Sequence, residues 1–136
     1  MVAAGIVFLE GCAASSTTTV EVGTLSFEVE IADTTQSQRD GLSGREDLPE
    51  GTGMLFPFAE PKQRQVWMAG MKTSIDIAWI VNNQVLSVDT LPPCLLVDQG
   101  QCPKWSSPDL ADALLEVPAG SLEGILPGTS VTLRDE

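Results

Sequence analysis

Residues 75–81 read IDIAWIV, followed by Asn82-Asn83 and then QVLSVD through Asp89. No other stretch limits the fold as much. Isoleucine, valine and tryptophan favour a strand. Two asparagines accept the positive φ angles of a two-residue hairpin turn. Residues 84–89 are then the return strand. Ile75, Ile77, Trp79 and Val81 share one face of the first strand, and Asp76, Ala78 and Ile80 share the other.

More strands flank this hairpin. Leu25, Phe27, Val29 and Ile31 alternate with Ser26, Glu28 and Glu30, which predicts a half-buried strand. A short strand at 20–22 and a turn at Gly23-Thr24 precede it. Residues 36–42 predict a helix of two turns, capped by Asp33 or Thr34 and ended by Gly41 or Gly44. Residues 48–51 read as a loop and 53–56 as a short apolar strand. Residues 57–65, with two prolines, read as irregular. Extended structure resumes at 66–68.

Residues 90–109 form a long loop. A strand at 113–117, a turn or short helix at 118–124 and a strand at 130–134 complete the chain. Many short strands with one or two short helices predict a mainly β fold, a compact β-sandwich or barrel-like domain. A length of 136 residues suits one domain, placed at 20–136.

The chemistry is bounded by what is missing. The chain has no histidine and no tyrosine. That removes Ser-His-Asp and Cys-His catalysis and the usual zinc and copper ligand sets. Neither a metal nor a cofactor is expected. A net charge of −12 repels phosphate backbones, so nucleic acid is not an expected partner. Five of the seven bases, Arg39, Arg45, Lys62, Arg64 and Lys72, lie between 39 and 72. An anion would be met there, unless these are ordinary surface bases.

The first residues read MVAAGIVFLEGCAASSTTT. A short apolar run, then Gly11-Cys12, then a Ser/Thr tract looks like the end of a lipoprotein signal. Glu10 and the lack of an initial basic region depart from that pattern. The expectation for 1–19 is a truncated signal and tether, with lipid on Cys12 holding an extracytoplasmic domain to a membrane. No apolar run approaches the roughly 18 residues that span a bilayer.

An oxidising compartment favours disulfides. Setting Cys12 aside leaves Cys94 and Cys102 as an even pair. We expect a disulfide between them, with a reactive or redox pair and a metal site as the alternatives. Closing so short a loop stabilises by roughly 2.5 kcal/mol in the chain-entropy account.

Several ordered motifs carry a resemblance: GLSGR at 41–45, GMLFPF at 53–58, VWM at 66–68, SIDIAWI at 74–80, CP at 102–103 and LEVPAG at 115–120. Over 20–133 the chain resembles the family called domain of unknown function 192. The resemblance implies a compact, mainly β fold in a prokaryotic and often exported protein, and it implies no established activity. Ala69-Gly70-Met71 stands where that family usually has Lys-Asn-Thr, and Trp105 stands near its usual tyrosine.

Two acids interrupt apolar strands, Asp76 and Glu116. A buried carboxylate is costly unless paired. Arg45 follows a glycine turn and is a candidate partner for either. One reading is a polar pocket of Asp76, Glu116 and Arg45; the other is a structural ion pair or a carboxylate serving loop amides. Trp79 belongs to the core, whereas Trp67 and Trp105 can face a ligand. Met54, Met68 and Met71 read as a packed cluster. The expectation is a tethered binding or accessory domain with no catalytic residues. It takes a small ligand, glycan or envelope protein near Arg45, Trp67, Lys72, Asp76 and Glu116. The alternative is an envelope enzyme using carboxylates or thiols.

Overall fold

The computed structural model describes residues 18–135. Cys12 and the apolar start of the chain lie outside the described residues.

Nine strands form a mainly β structure: β1 Thr18–Val22, β2 Leu25–Ile31, β3 Thr52–Lys62, β4 Gln65–Trp67, β5 Ile75–Val81, β6 Gln84–Leu91, β7 Lys104–Ser106, β8 Ala111–Pro118 and β9 Val131–Asp135. One helix, α1 Thr35–Asp40, lies between β2 and β3. Seven strands make one sheet in the order β6-β5-β8-β3-β2-β1-β9, while β4 and β7 pair separately as a small arm. Among the described strands only β2 and β3 pair in parallel, because the connection through α1 carries the chain back to the same end.

The sheet curls until its ends meet. Val85 N–H donates to Thr129 O at 2.9 Å, and Val131 N–H donates to Asn83 O at 2.9 Å. These bonds join the β5–β6 hairpin to the segment entering β9. The concave face holds one core, with Val20, Phe27, Leu55, Ile80, Leu115 and Val117 among its members. The opposite face carries a second core around Trp79, Ile77, Met54, Phe56 and Leu114. β5 and β8 are therefore buried on both faces, which is why their sequences run nearly unbroken in apolar residues.

The hairpin matches its sequence. Asn82 and Asn83 have φ of 51° and 60°, as a turn that follows the strand twist requires. Two expectations need correction. Residues 57–62 are not irregular; they extend β3. Leu55 O accepts Ala32 N–H, and Pro57 O accepts Gln38 Nε2, so both residues direct their polar groups away from β8. Pro57 thus lacks its N–H on the side where no bond to β8 is lost. The 90–109 segment is not all loop. It contains a 3₁₀ turn, Gln99–Gln101, and strand β7.

Candidate functional site

A cleft of about 860 Å³ opens on the outer face of the sheet. Its floor is β3 and β8, through Phe56, Leu114 and Glu116. One wall is α1 and the turn that follows it. The other is the β4–β7 arm, with Trp67 from β4 and Lys104 from β7.

Local chemistry fixes both walls. Thr34 caps α1, its hydroxyl accepting Ser37 N–H at 3.0 Å. Gln38 Nε2 ties the helix to the carbonyls of Ala32 and Pro57 at 2.9 and 3.1 Å. Gly41 ends the helix with φ of 50°, a conformation costly for other residues. It also lies over the floor: a Cβ there would sit 3.5 Å from the Phe56 ring and 3.8 Å from Glu116 Oε1. The turn then docks on the loop after β4, with Gly44 N–H donating to Gly70 O at 2.9 Å.

The arm is held by buried Ser107. Its hydroxyl accepts Arg64 N–H at 2.8 Å, and its N–H donates to Arg64 O at 2.8 Å. The Arg64 guanidinium lies 3.8 Å above the Phe58 ring and donates to the Ala111 and Glu60 carbonyls. Lys104 lies 5.9 Å from the centre of the Trp67 ring. Cys94 and Cys102 are bonded, with Cα atoms 5.9 Å apart. Cys94 N–H donates to Met68 O at 3.2 Å, which holds this loop beside the arm and brings Gln99 to the rim.

Glu116 is 7% exposed. Its cross-strand neighbours, Met54 on β3 and Ile77 on β5, offer no polar group. Among the described residues its carboxyl has no hydrogen bond and no ion pair. Burial raises its pKa from 4.5 to about 7, because the apolar surroundings penalise the charged form.

The expected trio does not assemble. Asp76 pairs with Val117 and Ile77 with Glu116, so the two acids lie on opposite faces of the sheet. Asp76 is saturated: Thr90 Oγ1 donates to Oδ1 at 2.7 Å, and the amides of Gly120 and Leu122 donate to Oδ2 at 2.9 Å each. It acts as the carboxylate that serves loop amides. Arg45 reaches neither acid. It forms a two-pronged pair with Glu30 at 2.5 and 2.9 Å, beside a separate hollow of about 200 Å³. The Arg45 pairing lowers the Glu30 pKa. Lys72 is exposed and does not line the cleft. Of the five ligand-binding candidates Arg45, Trp67, Lys72, Asp76 and Glu116, only Trp67 and Glu116 share it.

Trp79 is fully buried, with its indole N–H donating to Asp89 Oδ2 at 2.8 Å. The three methionines are packed in the outer core. Phe56, Arg39, Arg64 and Lys104 also line the cleft, outside the five candidates. The run of bases between 39 and 72 was the signal for two of them.

No curated protein matches the chain. Among solved structures, a protein of unknown function from Novosphingobium aromaticivorans is similar at 26% identity and a TM-score of 0.73, over 85% of this chain and 83% of that one. A candidate transcription regulator from Sinorhizobium meliloti is similar at 20% identity and a TM-score of 0.72, over 86% of this chain and 92% of that one, which is a likeness of fold. Residues 17–133 match the uncharacterised family called domain of unknown function 192, described as "Uncharacterized ACR". With nearly the whole β domain matched, the chain belongs to that family.

Proposed function

We propose that the domain binds a small organic ligand in the cleft between α1 and the β4–β7 arm, at the cell envelope and without transforming it. Glu116 carries the reading. A buried carboxyl with no partner among the described residues costs stability unless something else completes it. A ligand entering the cleft supplies that partner. Pockets of this kind pair apolar and aromatic walls with a few polar groups that fix orientation. Phe56 supplies the floor and Phe58 and Trp67 the walls here. The rim glutamines can also hydrogen-bond the hydroxyls of a sugar, so a glycan belongs to the same proposal.

The Cys94–Cys102 bond supports an oxidising compartment. Lipid on Cys12 would tether the domain to a membrane there. Leu95, Leu96 and Val97, exposed in the disulfide loop, would suit contact with an envelope protein. A second reading rests on the same carboxyl: a single group titrating near neutrality can act as a general acid or base. Glycosidase-like chemistry with two carboxylates is not favoured, because Asp76 faces the other way.

The test is amide chemical-shift mapping with separate additions of short carboxylates, amines and monosaccharides, each up to about 10 mM. Shifts clustered at Gly41, Trp67, Lys104 and Glu116 are expected. A full set of additions with no cluster at the cleft would sink the proposal. Conversion of a bound compound to product would move it to the second reading. Intact mass of protein taken from membranes tests the tether, and an unmodified Cys12 refutes it.

A further inference from the structure

We infer that the ligand of this cleft is an organic acid anion with an apolar body, and that it binds with Glu116 protonated. This rests on the small-ligand reading and narrows it.

The walls favour a negative head group. Arg39, Arg64 and Lys104 line the cleft, three of the seven bases in a chain of net charge −12. Local charge of this kind is what an approaching ligand meets. Arg64 and Lys104 lie over aromatic rings, so a cationic ligand seeking those faces meets a like charge first. The Arg39 guanidinium has no hydrogen bond or ion pair among the described residues. The one other acid on the walls, Asp40, already accepts Gln36 Nε2 at 2.9 and 3.0 Å.

The floor completes the selection. An ionised Glu116 would repel an anion across a poorly solvated gap. A protonated one offers an O–H donor, and an O–H to carboxylate bond is among the strong ones. The charged groups facing Glu116 across the cleft are Arg39 and Asp40 of α1, Arg64 before β4 and Lys104 of β7. The strands beside it place only Met54 and Ile77 opposite. Burial keeps the carboxyl neutral up to about pH 7. Below that point capture needs no further proton; above it capture takes up one, and affinity falls about tenfold per pH unit.

The probes are 3-phenylpropionate, 3-phenylpropan-1-ol and 3-phenylpropylamine, which share a body and differ in the head. Their affinities are read by chemical-shift titration between about pH 5.5 and 8.5 on the wild type and on Glu116→Gln, which keeps a neutral donor. The expected result is carboxylate binding tightest and weakening with pH in the wild type, with no pH dependence in Glu116→Gln. Arg39→Ala should weaken the carboxylate several-fold and leave the alcohol unchanged. Tightest binding by the amine, or a carboxylate affinity flat with pH in the wild type, overturns the inference and leaves the small-ligand reading standing. Failure of all three probes to shift the cleft amides counts against both.

Discussion

Replacing Asp76 by alanine tests whether this acid is an anchor and not part of a binding site. The substitution removes three accepted hydrogen bonds. They are not equal. The Thr90 and Gly120 bonds are only part-buried, so water can serve the Thr90 hydroxyl and the Gly120 amide in part. The Leu122 amide is buried and loses its only acceptor. An orphaned buried amide costs about 1–3 kcal/mol, and a partly hydrated one about 0.5–1.5 kcal/mol. Together the loss is about 2–4 kcal/mol. At roughly 4 °C per kcal/mol for a domain of this size, Tm falls by about 8–16 °C. Asp76→Asn keeps one oxygen for the two amides and presents its NH₂ to the Thr90 hydroxyl, which can turn to accept. It should recover at least half of the loss. Thermal and urea unfolding of the three proteins measure this. Stability of Asp76→Ala within about 0.5 kcal/mol of wild type would refute the anchor, as would Asn failing to improve on Ala.

Three further outcomes follow from the same geometry. Glu116 has a folded pKa raised from 4.5 to about 7, so the folded chain holds the proton more tightly than the unfolded one. Its contribution is present in full below about pH 4.5 and is lost as pH rises through 7, by about 3 kcal/mol in all. Glu116→Gln should flatten that part of the pH–stability curve and raise Tm at about pH 8, read by thermal melts across pH. Replacing both Cys94 and Cys102 by serine should cost about 2.5 kcal/mol in urea unfolding, and the same loss should follow reduction of the wild type. Gly53→Ala should cost more than about 2 kcal/mol, because its Cβ would run into the Glu116 carbonyl and approach Val117 Cγ1 at 2.7 Å, where a strand backbone has no room to yield.

Local patterns were readable where their cause is local. The alternation in β2, the Thr34 cap and Gly41 stop of α1, and the Asn82-Asn83 turn all sit within a few residues of the chemistry that produces them. The extension of β3 past Pro57 was not readable. It depends on which side of the strand faces β8, and the pairing partners, Ala113 for Pro57 and Ala111 for Lys62, lie far along the chain. Strand β7 was hidden for the same reason, since Lys104–Ser106 becomes a strand only by pairing with Gln65–Trp67. The cysteine pair yielded to elimination. The partner of Arg45 did not, because Glu30 comes within reach only when β2 lies beside β3.

Asp76 and Glu116 show why residue order alone does not reveal the site. In sequence they look alike: one acid flanked by apolar residues in a strand destined for the interior. Their burial could be foreseen, but their faces could not, because a side chain's face is set by register. β5 and β8 pair with Asp76 opposite Val117 and Glu116 opposite Ile77. That one-residue offset sends one acid to each side. On the concave side the turn after β8 folds back and fills the acceptor capacity of Asp76 with its amides. On the outer side the chain leaves a gap between α1 and the arm, and Gly41 keeps the space above Glu116 clear. The same kind of group is thus saturated where it holds a turn and left unmet where a cleft opens. A fold that satisfies one buried acid with three donors has the means to satisfy another. Its failure to do so, at the floor of a cleft with basic walls, is the local inconsistency on which the binding proposal rests.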